Sequence, residues 1–252
     1  MSASQVEAES ANPADEEKLP YPKEFYAWYV VLILMIVYIF SFMDRQILAL
    51  LVGPIKADLD ISDTQMSLLM GFSFAIFYTI FGIPIARLAD SKNRVGIIAI
   101  GLATWSMFTA LCGMSSKFWT LALARMGVGV GEAALSPSAY SLITDYFRPH
   151  RQALAISIYG AGIYIGSGLA YVLGGYVVGF TAGAETVALP VVGDVKPWQS
   201  VFFMIGVPGL LFTVALLTVR EPVRRGLKKT GAAAKAVSVP IKEVIGYITA
   251  NW

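Results

Sequence analysis

From residue 25 onward the chain is a succession of apolar runs separated by short polar stretches. A helix that crosses a bilayer needs about 20 mostly apolar residues, and six runs meet that length. The first, about 26–52, opens on the interfacial aromatics Tyr26, Trp28 and Tyr29 and is expected to stop at Gly53-Pro54. The second is introduced by Ser62-Asp63-Thr64-Gln65, in which Ser62 and Gln65 have capping-box spacing, and extends to about residue 88. The others cover about 95–114, 118–144, 153–180 and 201–219. The pattern predicts an all-α polytopic membrane protein: a disordered tail over 1–24, a six-helix bundle over 25–219 and a basic segment over 220–252.

The flanks of these spans orient them. Fourteen Lys and Arg residues fall on one side and only Lys56, Lys117 and Lys196 on the other; without the seven that follow the sixth span the ratio is still seven to three. By the positive-inside rule both ends of the bundle belong in the cytoplasm, which makes the chain a multi-pass protein of the cell (inner) membrane with a cytoplasmic N-terminus. After the basic stretch, Ile241, Val244, Ile245 and Ile248 follow Pro240 at helical spacing. They predict an amphipathic helix that lies on the membrane or leads into another span. The stop at Asn251-Trp252, with no polar tail, points to a longer protein with a second six-helix half.

Composition sharpens this. Hydrophobic residues make up 56% of the chain and charged ones 14%, which excludes an ordinary soluble domain, and a net charge of +2 indicates no nucleic-acid partner. The single cysteine, Cys112, sits in an apolar run and reads as a buried thiol; a disulfide framework or cysteine metal site is excluded.

Away from the span ends, the charges are Asp44, Arg45, Arg125 and Glu132. A charge at mid-bilayer costs about 2.5–3.5 kcal/mol or more, so these four require pairing, a water-filled cavity, or both. Asp44 lies 16 residues beyond Trp28, about 24 Å along a helix; Arg125 lies 6 residues beyond Trp119, about 9 Å from the opposite interface. In a core about 30 Å thick the two depths nearly coincide, so Asp44 is expected to meet Arg125 across the first and fourth spans. Glu132 shares a face with Arg125, roughly 10 Å away. An acid at that depth can discharge itself by taking up a proton, as a coupling group must. Two structural alternatives stand beside this. In one, the first helix ends at Met43 and leaves Asp44 and Arg45 at the outer interface; in the other, Arg125 and Glu132 belong to a structural ion pair that locks two helices.

Gly127, Gly129 and Gly131 flank these charges. They lie in a long apolar helix rather than after a strand, which argues for close helix packing and against a phosphate cradle. For Gly160, Gly162, Gly166, Gly168, Gly174 and Gly175 in the fifth span, helix packing and the lining of a passage are both open. Tyr159, Tyr164 and Tyr171 are aromatics for packing or for a passage wall.

These residues resemble the major facilitator superfamily, whose N-terminal half is six helices in a 3+3 inverted repeat. The loop Ala86-Arg87-Leu88-Ala89-Asp90-Ser91-Lys92-Asn93-Arg94 is similar to that family's motif between helices two and three. Ser91 and Asn93 depart from the usual arginine and glycine. The resemblance implies a cytoplasmic gate at Asp90 and Arg94, joined by Asp145 and Arg151 from the stretch Asp145-Tyr-Phe-Arg148-Pro149-His-Arg151. Arg125 with Gly129-x-Gly131-Glu132-Ala133 resembles the spinster branch, in which the acid is paired with an Asp-Arg near the end of helix one, here Asp44-Arg45. The glycine-proline motif of many exporters has no proline here.

The resemblance implies a secondary transporter moving amphipathic lipids, of lysophospholipid or sphingosine-phosphate type, by alternating access. Asp44 and Glu132 would couple to the proton, Arg45 and Arg125 would hold the anionic head or the acids, and no cofactor is implied. Transport of a small organic anion or sugar by the same fold is the alternative, and a channel is a third. An enzyme is not expected: His150 is a loop residue, and neither Gly-x-Ser-x-Gly nor metal-ligand spacing occurs.

Overall fold

The computed structural model describes residues 20–180, 184–190 and 192–225, with Gly246 and Thr249. Residues 1–19, the Lys and Arg residues beyond Arg225 and the amphipathic pattern at 241–248 lie outside the described residues.

Helix α1, Glu24–Leu50, is followed almost at once by α2, Val52–Leu59. Pro54 does not itself end the first helix, as its position predicts. A proline lacks the N–H that would bond the carbonyl four residues back, and its ring collides with that carbonyl, so the break falls upstream at Leu50-Leu51. The next span runs unbroken from Asp63 to Ser91. It begins as α3, Asp63–Ser67, passes through a π-helical turn, Leu68–Phe72, and continues as α4, Ser73–Ser91. The capping box that starts it is present: Gln65 N–H donates to Ser62 Oγ at 3.2 Å and Ser62 N–H to Gln65 Oε1 at 2.9 Å.

Helix α5 is Arg94–Cys112, capped by the Asn93 side chain, which accepts from Gly96 N–H at 2.6 Å. The fourth span is two helices in tandem, α6 (Phe118–Glu132) and α7 (Leu135–Tyr146), rather than the continuous helix expected. Pro137 explains the break, since it cannot donate to the carbonyl of Ala133; Ala134 N–H turns instead to Gly131 O at 3.3 Å. Helix α8, Pro149–Phe180, starts four residues before the expected 153 because Pro149 suits a first helical turn. A short hairpin that the hydropathy pattern did not reveal, β1 (Val187–Leu189) with β2 (Gly193–Val195), leads to α9, Pro197–Leu216.

Helix α1 lies along α8, α4 along α6, and α5 meets α6 and α9, while α9 also touches α1. Exchanging the first three spans with the last three turns α1–α8 into α6–α4, turns α5–α6 into α9–α1, and leaves α5–α9 unchanged. This is the packing of a 3+3 inverted repeat. Glycines permit the closest of these approaches. A Cβ at Gly166 would stand 2.5 Å from Ile39 O on α1, one at Gly129 2.7 Å from Phe74 O on α4, and one at Gly131 2.5 Å from Trp105 N on α5. The glycines of α8 fall into two groups. Gly162, Gly166 and Gly174 pack on α1, whereas Gly160, Gly168 and Gly175 face open space together with the exposed Tyr164 and Tyr171.

Candidate functional site

Helix α1 presents Ser41, Asp44 and Arg45 at i, i+3 and i+4, on one helical face that looks into the bundle. The helix does not end at Met43 but continues to Leu50, and Asp44 is buried within the bundle. Arg125 Nη1 donates to Asp44 Oδ2 at 2.8 Å, and Thr109 Oγ1 of α5 donates to Asp44 Oδ1 at 3.1 Å. Both carboxylate oxygens of Asp44 are thereby bonded, and Asp44 and Arg125 are sealed from solvent.

The second acid pairs differently. Arg45 Nε donates to Glu132 Oε2 at 2.6 Å and Ser41 Oγ donates to the same oxygen at 3.0 Å. Glu132 Oε1 has no hydrogen-bond partner among the described residues. The Arg45 side chain is 28% exposed while that of Glu132 is fully covered, so this pair is open to solvent on the Arg45 side, whereas the Asp44–Arg125 pair is closed off. Neighbours on one helix, Asp44 and Arg45, thus reach opposite partners on the fourth span. Glu132 occupies the last residue of α6, where the break before α7 interrupts the helix beside the charges.

Aromatic faces complete the setting. The Arg45 guanidinium stands 5.1 Å from the Phe42 ring centre, 4.8 Å from Phe74 and 4.9 Å from Tyr78; Arg125 lies 5.7 Å from Phe74. Each such contact contributes about 0.5–2 kcal/mol and holds a cation without a second acid. Further along the same wall Tyr159 stacks on Tyr38 at 4.4 Å and receives the edge of Tyr140 at 5.4 Å. Tyr159 is fully buried and packs, unlike Tyr164 and Tyr171. Sequence reasoning missed Ser41, Thr109, Phe42, Phe74 and Tyr78. The i, i+4 repeats of Phe74 with Tyr78 and of Ser41 with Arg45 were the signals available. Among the described residues no three of His, Cys, Asp and Glu gather as metal ligands.

On the side where α1 begins, the residues assigned to a gate form a second network, with different pairings. Arg94 Nη1 donates to Asp145 Oδ2 at 2.5 Å and Arg94 Nε to Glu221 Oε1 at 2.6 Å. Glu221 Oε2 accepts from the Arg94 and Val95 backbone N–H groups at 2.9 and 3.1 Å, which places a carboxylate at the N-terminus of α5. Arg225 N–H donates to Asp145 Oδ1 at 3.0 Å. Arg224 donates to the carbonyls of Ala89, Asp90 and Lys92 at the end of α4. Asp90 is therefore engaged through its backbone, its side chain being exposed, and Arg151 pairs with Glu24 rather than with Asp145. Glu221 and Arg224 were not expected; their signal was the charge-dense stretch Arg220-Glu221-Pro222-Val223-Arg224-Arg225 directly after the last span.

Comparison with known proteins gives a consistent picture. The sequence model of the Major Facilitator Superfamily matches residues 34–251. The chain is 30% identical over 211 residues to an MFS-type efflux pump of Mycolicibacterium smegmatis, covering 84% of this chain and 44% of that protein. It is 32% identical over 205 residues to protein spinster homolog 1 of Xenopus tropicalis, 79% of this chain and 36% of that one. It is 26% identical over 216 residues to the hexuronate transporter of Bacillus subtilis, 85% of this chain and 47% of that one. In structure it matches a bacterial homologue of the human lysosomal transporter Spinster, in an inward-facing and unoccupied conformation. That match has a TM-score of 0.74 at 33% identity, with 90% of this chain and 50% of the other covered. The chain thus spans half or less of the length of each of these proteins.

Proposed function

Because this chain belongs to the Major Facilitator Superfamily, we propose that it forms one half of a proton-coupled transporter for amphipathic lipids, completed by a second six-helix half. The observation that carries this reading is the crossed arrangement of Asp44–Arg125 and Arg45–Glu132, one pair sealed and one partly exposed through Arg45. Glu132 is the proton site that the geometry favours. Its Oε1 is unpartnered, whereas Asp44 has a donor on each oxygen. Protonation of Glu132 would weaken its hold on Arg45 and free a guanidinium already aligned by three aromatic rings. A guanidinium offers paired donors to a phosphate or carboxylate. Substrate binding and proton uptake would then compete for the same arginine, which couples them and shifts the balance between inward- and outward-open states. Asp44 and Arg125 would hold α1, α5 and α6 in register behind the site. The gate role of Asp90, Arg94, Asp145 and Arg151, and a cytoplasmic placement of that side in the cell membrane, belong to the same proposal, supported by the surplus of basic residues there.

A second reading has an observation of its own: the likeness to the hexuronate transporter, which by its name handles an acidic sugar. A small carboxylate would use the same arginine without the apolar tail. The test is transport by the full-length protein in proteoliposomes under an imposed pH gradient, with a fluorescent lysophospholipid and a labelled hexuronate side by side. Gradient-driven lysolipid movement that Glu132→Gln abolishes supports the proposal. Movement of the hexuronate alone selects the second reading, and lysolipid movement indifferent to the gradient removes proton coupling.

A further inference from the structure

A separate cavity of about 440 Å³ opens on the side where α1 begins, away from the buried charge pairs. Its walls come from the segment before α1 (Tyr21, Glu24), the end of α7 (Tyr146) and the turn into α8 (Arg148, His150, Arg151). The charge on these walls is unbalanced. Arg151 pairs with Glu24. Arg148 meets no carboxylate among the described residues, and its guanidinium stands 5.7 Å from the ring centre of Tyr21. Arg225 stacks on the same ring at 3.5 Å and donates to Pro20 O at 3.1 Å, which holds the segment before α1 in place as one wall. The floor is apolar, formed by Ala27, Phe147 and the ring of Tyr146.

The position decides what such a cavity meets. It lies level with the start of α1, beside the interfacial Tyr26 and Trp28, at the depth where head groups adjoin acyl chains. It lies also on the side that gathers the Lys and Arg residues. Basic recesses between spanning helices at this level suit anionic lipid head groups. The geometry points to a head-group site for an anionic phospholipid of that leaflet. Arg148 and Arg151 would receive the phosphate, His150 would add a ring N–H, and the first methylenes of the chains would rest on Phe147. Arg151 is shared with the proposed gate, but lipid retained here does not depend on Asp44 or Glu132, so retention and coupled transport are read separately.

The acids Asp15, Glu16 and Glu17 lie three to five residues before Pro20 in sequence and are the rival occupant. Native mass spectrometry of the full-length protein, purified with a phosphatidylglycerol and phosphatidylcholine mixture, tests the proposal. The expected result is at least one phosphatidylglycerol retained with about tenfold preference over phosphatidylcholine, the preference falling to near unity in Arg148→Ala combined with Arg151→Ala. Arg148→Ala alone breaks no ion pair among the described residues, so a severalfold loss in that single variant, with its melting temperature unchanged, supports the site independently. Lys92→Ala removes a like charge on the same side, outside the cavity; an equal loss there would mean diffuse attraction and overturn the proposal. So would two other results: inorganic phosphate at millimolar concentration displacing the lipid completely, or retention appearing only after residues 2–17 are removed.

Discussion

Glu132 has two carboxylate oxygens in unlike surroundings: two donors crowd Oε2, and Oε1 has none among the described residues. Asp44 has one donor on each oxygen. Charge-neutral substitutions should therefore part company. Glu132→Gln should remove pH-gradient-driven transport while the purified protein keeps its thermal stability within a few degrees. Asp44→Asn leaves Arg125 buried without its acid, and truncating such a pair costs about 3–5 kcal/mol, so its melting temperature should fall markedly. Thermal unfolding in detergent alongside transport checks both; equal losses of stability would make the two acids equivalent counter-ions. The glycines make a second contrast at this scale. An alanine at Gly131 would press on backbone atoms of Trp105 and Gly101, while Gly160 has open space around it. Gly131→Ala should lower stability by about 1–3 kcal/mol and Gly160→Ala should be near neutral, again read from thermal unfolding.

Among the elements, the stretch after α9 has consequences out of proportion to its length. Glu221 sits at the N-terminus of α5, Arg224 gathers the last carbonyls of α4, and Arg225 bonds Asp145 on α7. Tyr26 of α1 joins the same stretch, its hydroxyl donating to Thr218 O at 3.0 Å and accepting from Arg220 N–H at 2.9 Å. Arg94 lies at the centre, buried, with two carboxylates and the Ser141 carbonyl and hydroxyl around it. A lysine is a single point charge and cannot span that set. Arg94→Lys should thus retain less than half of the stability separating the wild type from Arg94→Ala, measured as melting temperature. Full restoration by lysine would show that charge alone matters there.

For the molecule as a whole, orientation is the property most open to direct test. Cys112 is the sole cysteine and is buried, so a single introduced thiol can be followed without background. Ser91→Cys lies on the basic side and Asp194→Cys on the hairpin at the other; both positions are exposed. With a membrane-impermeant maleimide, Asp194→Cys should label in intact cells and Ser91→Cys only after permeabilisation. The opposite pattern would invert the proposed topology. Two faces of the bundle, on α4 and α8, carry many exposed apolar side chains, among them Ile80, Ile83, Tyr164 and Val172. The pseudo-symmetry makes these two helices equivalent, which suits them to a second half or to lipid.

Hydropathy alone determined the six spans, because a bilayer accepts only long apolar helices with their backbone bonds satisfied internally. The resemblance to the superfamily, drawn from the stretch around Asp90 and Arg94 and from Arg125 to Glu132, agrees with the family match and the structural likeness. The meeting of Asp44 with Arg125 was legible too, since helix rise converts sequence position into depth. What only the tertiary structure decided is which way each helix faces and where it breaks. Arg45 reaching Glu132, the cage of Phe42, Phe74 and Tyr78, and Glu221 on α5 all depend on rotation about helix axes. The prolines at 54 and 137 displace their breaks upstream, to Leu51 and Ala133-Ala134. Apolar runs do not record rotation, because lipid and neighbouring helices satisfy the same side chains equally well.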